Sequence, residues 1–108
     1  MKNLTLSEFK TKVLESDKPV LIDFYADWCG PCRALTPILN QLETECTDAV
    51  IYKVNIDNEE QLASNHSVSH IPSLVFYNQG KEVRRIVGGG KLPQLREQLN
   101  SMIEHRNN

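Results

Sequence analysis

Residues 23–37 read DFYADWCGPCRALTP, and the fold turns on what this stretch joins. VLIDFYA at 20–26 leads into it. That run is rich in β-formers and almost continuously apolar, the pattern of a strand buried on both faces. Asp23 is the one interruption. Beyond the cysteines, Leu35, Ile38, Leu39 and Leu42 recur at helical spacing, which predicts a helix over about 31–46. Pro37 lies inside it and is expected to kink it, because its ring displaces one backbone hydrogen bond. Cys29 and Cys32 therefore stand where a buried strand ends and a helix begins, the end of an α/β sheet at which ligands bind.

Three chemistries suit two cysteines at this spacing: a cycling redox pair, half of a metal site, or a static staple. A helix N-terminus carries partial positive charge and unpaired N–H groups, which favour a thiolate at Cys29. Cys32 lies one turn on, within bridging reach. Pro31 suits the first helical turn, where its missing N–H is not needed, and Gly30 leaves room for a partner's backbone. Zinc normally takes four Cys or His ligands in two close pairs. The remaining candidates, Cys46, His66, His70 and His105, are not so spaced. A staple across so short a loop removes little chain entropy.

Composition narrows the setting. The chain has 108 residues, 40% hydrophobic and 24% charged, which suits one domain able to fold without disulfides or metal. The formal net charge is −2 with no long run of one sign, so nothing argues for nucleic acid. No apolar stretch approaches the roughly 20 residues that span a bilayer. MKNLTLSEFK at 1–10 has no apolar core or cleavage site of a signal peptide, and the chain reads as cytoplasmic.

The other elements follow from periodicity and punctuation. Thr5 and Glu8 form a capping box, with Leu4 and Phe9 as its hydrophobic staple, opening a helix that runs to about Ser16. AVIYKVNI (49–56) reads as a strand and NEEQLASNH (58–66) as a short polar helix. SLVFY (73–77), NQG (78–80) and KEVRRIV (81–87) read as an antiparallel hairpin. A last helix runs to about His105 on a stripe of Leu92, Leu95, Leu99, Met102 and Ile103, with Lys91 as a poor cap. Cys46 continues the stripe of Leu35, Leu39 and Leu42. It reads as a small buried hydrophobe, the alternative being an exposed thiol that links two chains.

Together these residues resemble the thioredoxin family. WCGPC (28–32) after an Asp-bearing strand is the family's signature, and VNID (54–57), IPS (71–73), NQG (78–80) and VGG (87–89) extend the likeness over essentially the whole chain. The resemblance implies a single α/β domain over 1–108, with a central mixed sheet of four to five strands and helices on both faces. It implies a protein-disulfide reductase and electron carrier with no bound cofactor. Its active group is a redox-active Cys29–Cys32 disulfide, with no metal site. Electrons come from NADPH through thioredoxin reductase, and the other partners are disulfide-containing client proteins. Neither nucleic acid nor membrane is implied as a partner, and the chain is expected to be a monomer.

The resemblance also distributes roles. Cys29 is the attacking thiolate and Cys32 the resolving thiol. Asp23 is a buried carboxylate that exchanges a proton with Cys32, and Lys53 is the lysine that restrains its pKa. Pro72 is a cis-proline that sets the Ile71 backbone against the disulfide. Trp28, Gly30, Pro31, Ile71, Pro72, Val87 and Gly88 form the client-docking surface. There are departures: Tyr25 stands where many members carry a second Trp, Arg33 replaces a common Lys, and Ser73 replaces a common Thr. His70, two residues before Pro72, lies nearest the chemistry and is expected within several ångströms of the sulfurs. Two alternatives keep the fold: a thiol oxidase or isomerase, and a non-catalytic binding module. The reduction potential separates the first, and insulin-disulfide reduction the second.

Overall fold

A computed structural model describes residues 1–105. Of the domain expected over 1–108, residues 106–108 lie outside the described residues. The chain opens with β1 (Lys2–Asn3), followed by a tight 3₁₀ turn at Leu6–Glu8 and a π-helical segment at Lys10–Leu14. Then come β2 (Val20–Tyr25), α1 (Gly30–Glu45), β3 (Val50–Asn55) and α2 (Glu60–Asn65). The hairpin β4 (Ser73–Asn78) and β5 (Lys81–Val87) leads to α3 (Leu92–Glu104).

The strands form one mixed sheet in the order β1-β3-β2-β4-β5. β3 runs parallel to both β1 and β2, while β4 is antiparallel to β2 and β5. The central position of β2 explains its apolar run, broken at Asp23 alone, since both of its faces are covered. Leu21 faces α1 and α3, with Leu35, Leu39, Leu42, Leu95 and Leu99 packed on that side. Val20, Ile22 and Phe24 face the other way, with Val13, Leu62 and Tyr77. Burying each such side chain stabilises the fold by about 1.5–3 kcal/mol. The hairpin turn places Gln79 and Gly80 at φ 53° and 80°, the left-handed geometry that joins two twisted strands.

The first helix differs from the expectation. Glu8 Oε1 accepts both the N–H and the hydroxyl of Thr5, at 3.1 and 3.0 Å, closing a tight turn. Further on, the Glu15 N–H reaches back five residues to the Lys10 carbonyl. Apolar spacing determines which side chains face the sheet, and Leu4, Phe9 and Val13 do pack there. It does not determine how tightly the backbone winds. Strand β1 leaves no mark in the sequence, because two exposed residues carry no alternation to read. α1 continues through Pro37 to Glu45. Lys91 precedes α3 without a side-chain cap, as expected.

Candidate active site

α1 begins where β2 delivers the chain. Cys29 is its N-cap, and Cys29 Sγ accepts the Cys32 N–H at 3.2 Å. One turn of helix sets the two Cα atoms 5.2 Å apart, and the sulfurs are joined in a disulfide. Both residues are buried, Cys29 at 6% exposure and Cys32 at 2%, so the outer sulfur belongs to Cys29. A side chain on Gly30 would meet nothing closer than Arg33 Nη2 at 3.9 Å, which leaves the front of the pair open.

The loop before β4 closes the other side. The Ile71–Pro72 peptide is cis, and the Ile71 carbonyl oxygen lies 3.9 Å from Cys29 Sγ. Gly88, at φ 90°, donates its N–H to the Pro72 carbonyl at 2.8 Å, and Val87 pairs with Ser73. Pro31 and Gly88 line one shallow cavity of about 240 Å³. Val87 is exposed, and so is Trp28, at 67%. The indole of Trp28 is nonetheless held, because its Nε1–H donates to Asp57 Oδ2 at 2.9 Å. Asp57 is placed in turn by its own N–H on Asn55 Oδ1.

Behind the pair, Asp23 and Lys53 are register partners across β2 and β3. Asp23 is buried, and its Oδ1 has no hydrogen-bond partner among the described residues. Burial pushes its carboxyl up to about 7, against a lowering by the Lys53 ammonium. A cavity of about 140 Å³ lies against Asp23, Thr36 and Lys53, and a second of about 360 Å³ against Cys32, Thr36 and Lys53.

Of the expected site residues, Ile71 lies against Cys29 Sγ, Pro31 and Gly88 border one cavity, Cys32 and Lys53 border another, and Asp23 is the register partner of Lys53. The structure adds Asp57, whose position in VNID carries no signal beyond the family likeness. His70 is exposed beside Ile71, with Nδ1 3.1 Å from Ser69 Oγ. His66, a zinc candidate by residue type alone, is buried with both ring nitrogens engaged, at the Leu62 carbonyl and the Tyr77 hydroxyl. Among the described residues no three His, Cys, Asp or Glu side chains gather in a way that could hold a metal ion.

The thioredoxin family model matches residues 1–101. The chain belongs to the thioredoxin family. It is 42% identical over 106 residues to a thioredoxin of Mycobacterium tuberculosis, covering 96% of this chain and 90% of the relative. A thioredoxin of Chlamydia caviae is 54% identical over 69 residues, covering 64% and 68%. Thioredoxin-2 of Saccharomyces cerevisiae is 40% identical over 82 residues, covering 76% and 79%. With the disulfide at the family's active-site position, the chain is a thiol–disulfide oxidoreductase that reduces protein disulfides by exchange through Cys29 and Cys32. No helix among the described residues is long and apolar enough to cross a membrane.

Proposed function

We propose that Cys29 is the attacking thiolate, Cys32 the resolving thiol and Asp23 the proton acceptor for Cys32. In the first step the reduced Cys29 thiolate attacks one sulfur of a client disulfide. A Cys29–client bond forms, the client S–S bond breaks, and one client thiolate leaves. In the second step Cys32 loses its proton to Asp23 and attacks Cys29 Sγ. The mixed disulfide breaks, the second client thiolate leaves, and Cys29–Cys32 remains oxidised, with two electrons passed to the client. The observation that carries this assignment is the Cys32 N–H directed at Cys29 Sγ from the first turn of α1. In the reduced protein the same donor favours a thiolate at Cys29.

Asp23 suits its role because a carboxyl poised near neutrality can both take and return a proton. Lys53 keeps that carboxyl from rising further. The Ile71 backbone and the exposed faces of Trp28, Pro31, Pro72, Val87 and Gly88 receive an extended client segment by strand addition. Regeneration of the dithiol draws electrons from NADPH through a thioredoxin reductase, which makes the chain an electron carrier in a reducing compartment, the cytoplasm. It works as a monomer over a single domain of residues 1–108, since one chain supplies every group in the scheme.

Insulin-disulfide reduction and mixed-disulfide trapping test the assignment. Cys29→Ser abolishes both. Cys32→Ser abolishes turnover and leaves clients bound to Cys29. Substantial activity in Cys29→Ser would overturn the order of attack.

A further inference from the structure

Asp23 and Lys53 face each other across two strands, yet no ion pair joins them among the described residues. The ammonium of Lys53 instead lies over the ring of Tyr25, 5.9 Å from its centroid. A cation at that distance is attracted by the negative face of the ring. Asp23 and Tyr25 are two residues apart on one strand and so point to the same side of the sheet. Tyr25 is only half-buried, at the end of β2 rather than in its core.

Three cavities meet at this place. The first reaches Asp23, the second reaches Cys32, and the third, of about 310 Å³, opens past Asn55 and Glu59. Tyr25 and Lys53 line all three. The pair therefore borders a trough whose lining includes both Asp23 and Cys32. Asp23, whose buried Oδ1 has no hydrogen-bond partner among the described residues, lines this trough.

We propose that Tyr25 is a positioning residue whose ring holds the Lys53 ammonium over the trough and so sets the charge that Asp23 experiences. The inference rests on the reading of Asp23 as the proton acceptor for Cys32. Other charged and titratable groups border the region: Asp27 beyond β2, Cys32 and Arg33 from α1, Glu59 before α2, and the Met1 amino group, which Glu43 of α1 engages at 3.1 Å. Lys53 alone among them lowers the Asp23 carboxyl. An unrestrained lysine on this strand would extend into water, where its charge is screened. The ring keeps it inside the trough.

A titration cycle on the oxidised protein tests this, with the Asp23 carboxyl followed by carbon NMR. Tyr25→Leu alone is ambiguous, because it frees the ammonium and also admits water. The informative quantity is the rise in the Asp23 midpoint on Lys53→Met, measured with and without the ring. In the parent and in Tyr25→Phe the rise is equal. In Tyr25→Leu it falls below half of that, and Tyr25→Met serves as the ringless background if Tyr25→Leu fails to fold. An equal rise with and without the ring overturns the proposal, as does Tyr25→Phe behaving like Tyr25→Leu. The pH profile of mixed-disulfide release then reads the underlying assignment separately. An unchanged profile in Asp23→Asn removes Asp23 from the resolving step, whereas the titration cycle alone decides whether the ring holds the ammonium.

Discussion

The indole N–H of Trp28 donates to Asp57 Oδ2 over 2.9 Å, although the ring is two-thirds exposed. A large aromatic left in water ordinarily samples several rotamers, and here one polar bond selects among them. The bond joins the strand-to-helix turn to the loop after β3 and gives an exposed apolar plate one orientation.

Asp57→Ala releases the ring. A single hydrogen bond of this kind contributes about 1 kcal/mol, so the KM for a protein client rises by no more than about fivefold. The turnover rate and the urea midpoint change little. A KM equal to that of the parent would show that this bond does not orient Trp28 for the client.

Asp23→Asn changes the pH dependence of stability. The folded carboxyl titrates at about 7 in place of its ordinary 3.8. Between those values the folded protein holds a proton that the unfolded chain has lost. The contribution of Asp23 to the parent's stability therefore falls as pH rises from about 4 to about 7, by on the order of 4 kcal/mol, and changes no further above. Asn at 23 removes this slope. Urea denaturation at about pH 5 and about pH 8 should show the variant gaining on the parent at the higher value. The same gap at both would contradict a raised carboxyl. Near neutral pH the variant also reduces insulin more slowly.

Cys46 follows α1 as its C-cap and is buried on the stripe with Leu39 and Leu42. Burial, with Glu45 beside it, pushes its thiol up. Alkylation of the folded, oxidised protein should run on the order of a hundredfold slower than in denaturant, limited by local opening. Rapid labelling would place the thiol at the surface.

His66 is a structural tie between α2 and β4. Its ring bridges the Leu62 carbonyl and the Tyr77 hydroxyl and lies against Phe9 and Phe24. His66→Ala leaves a cavity and an unpaired hydroxyl, costing about 2–4 kcal/mol. Insulin reduction under native conditions should match the parent. A urea midpoint within error of the parent would refute the tie.

The sheet and its site differ in how they can be read. β2, α1 and the hairpin are plain in the chain because apolar periodicity and turn chemistry are local signals. The cysteine pair is legible from its place between β2 and α1. The roles around it rest on likeness to a family, since nothing local in IPS marks a cis peptide or brings Ile71 to Cys29. Contacts between distant side chains are illegible in principle. His66 has the look of a spare ligand until packing surrounds it with Phe9, Phe24 and Tyr77. Lys53 does lower the Asp23 carboxyl, as the likeness implies, but nothing local shows that its ammonium lies over Tyr25. The winding of residues 6–14 escapes for another reason: 3₁₀, α and π turns can present the same side chains to a sheet.

Cys29 both caps α1 and changes oxidation state, which closes a thermodynamic box. Its corners are the folded and unfolded chain, each with the pair oxidised or reduced. Any difference in folding stability between the two redox forms must equal the difference in reducibility between the folded and unfolded chain. The Cys32 N–H that meets Cys29 Sγ lies on one edge of that box. A substitution that strengthens this bond to the thiolate stabilises the reduced fold, and by the same amount makes the pair a stronger oxidant. Thermal denaturation of the two forms, with no electrode in the experiment, therefore ranks α1 variants by redox potential wherever their unfolded chains are reduced equally easily.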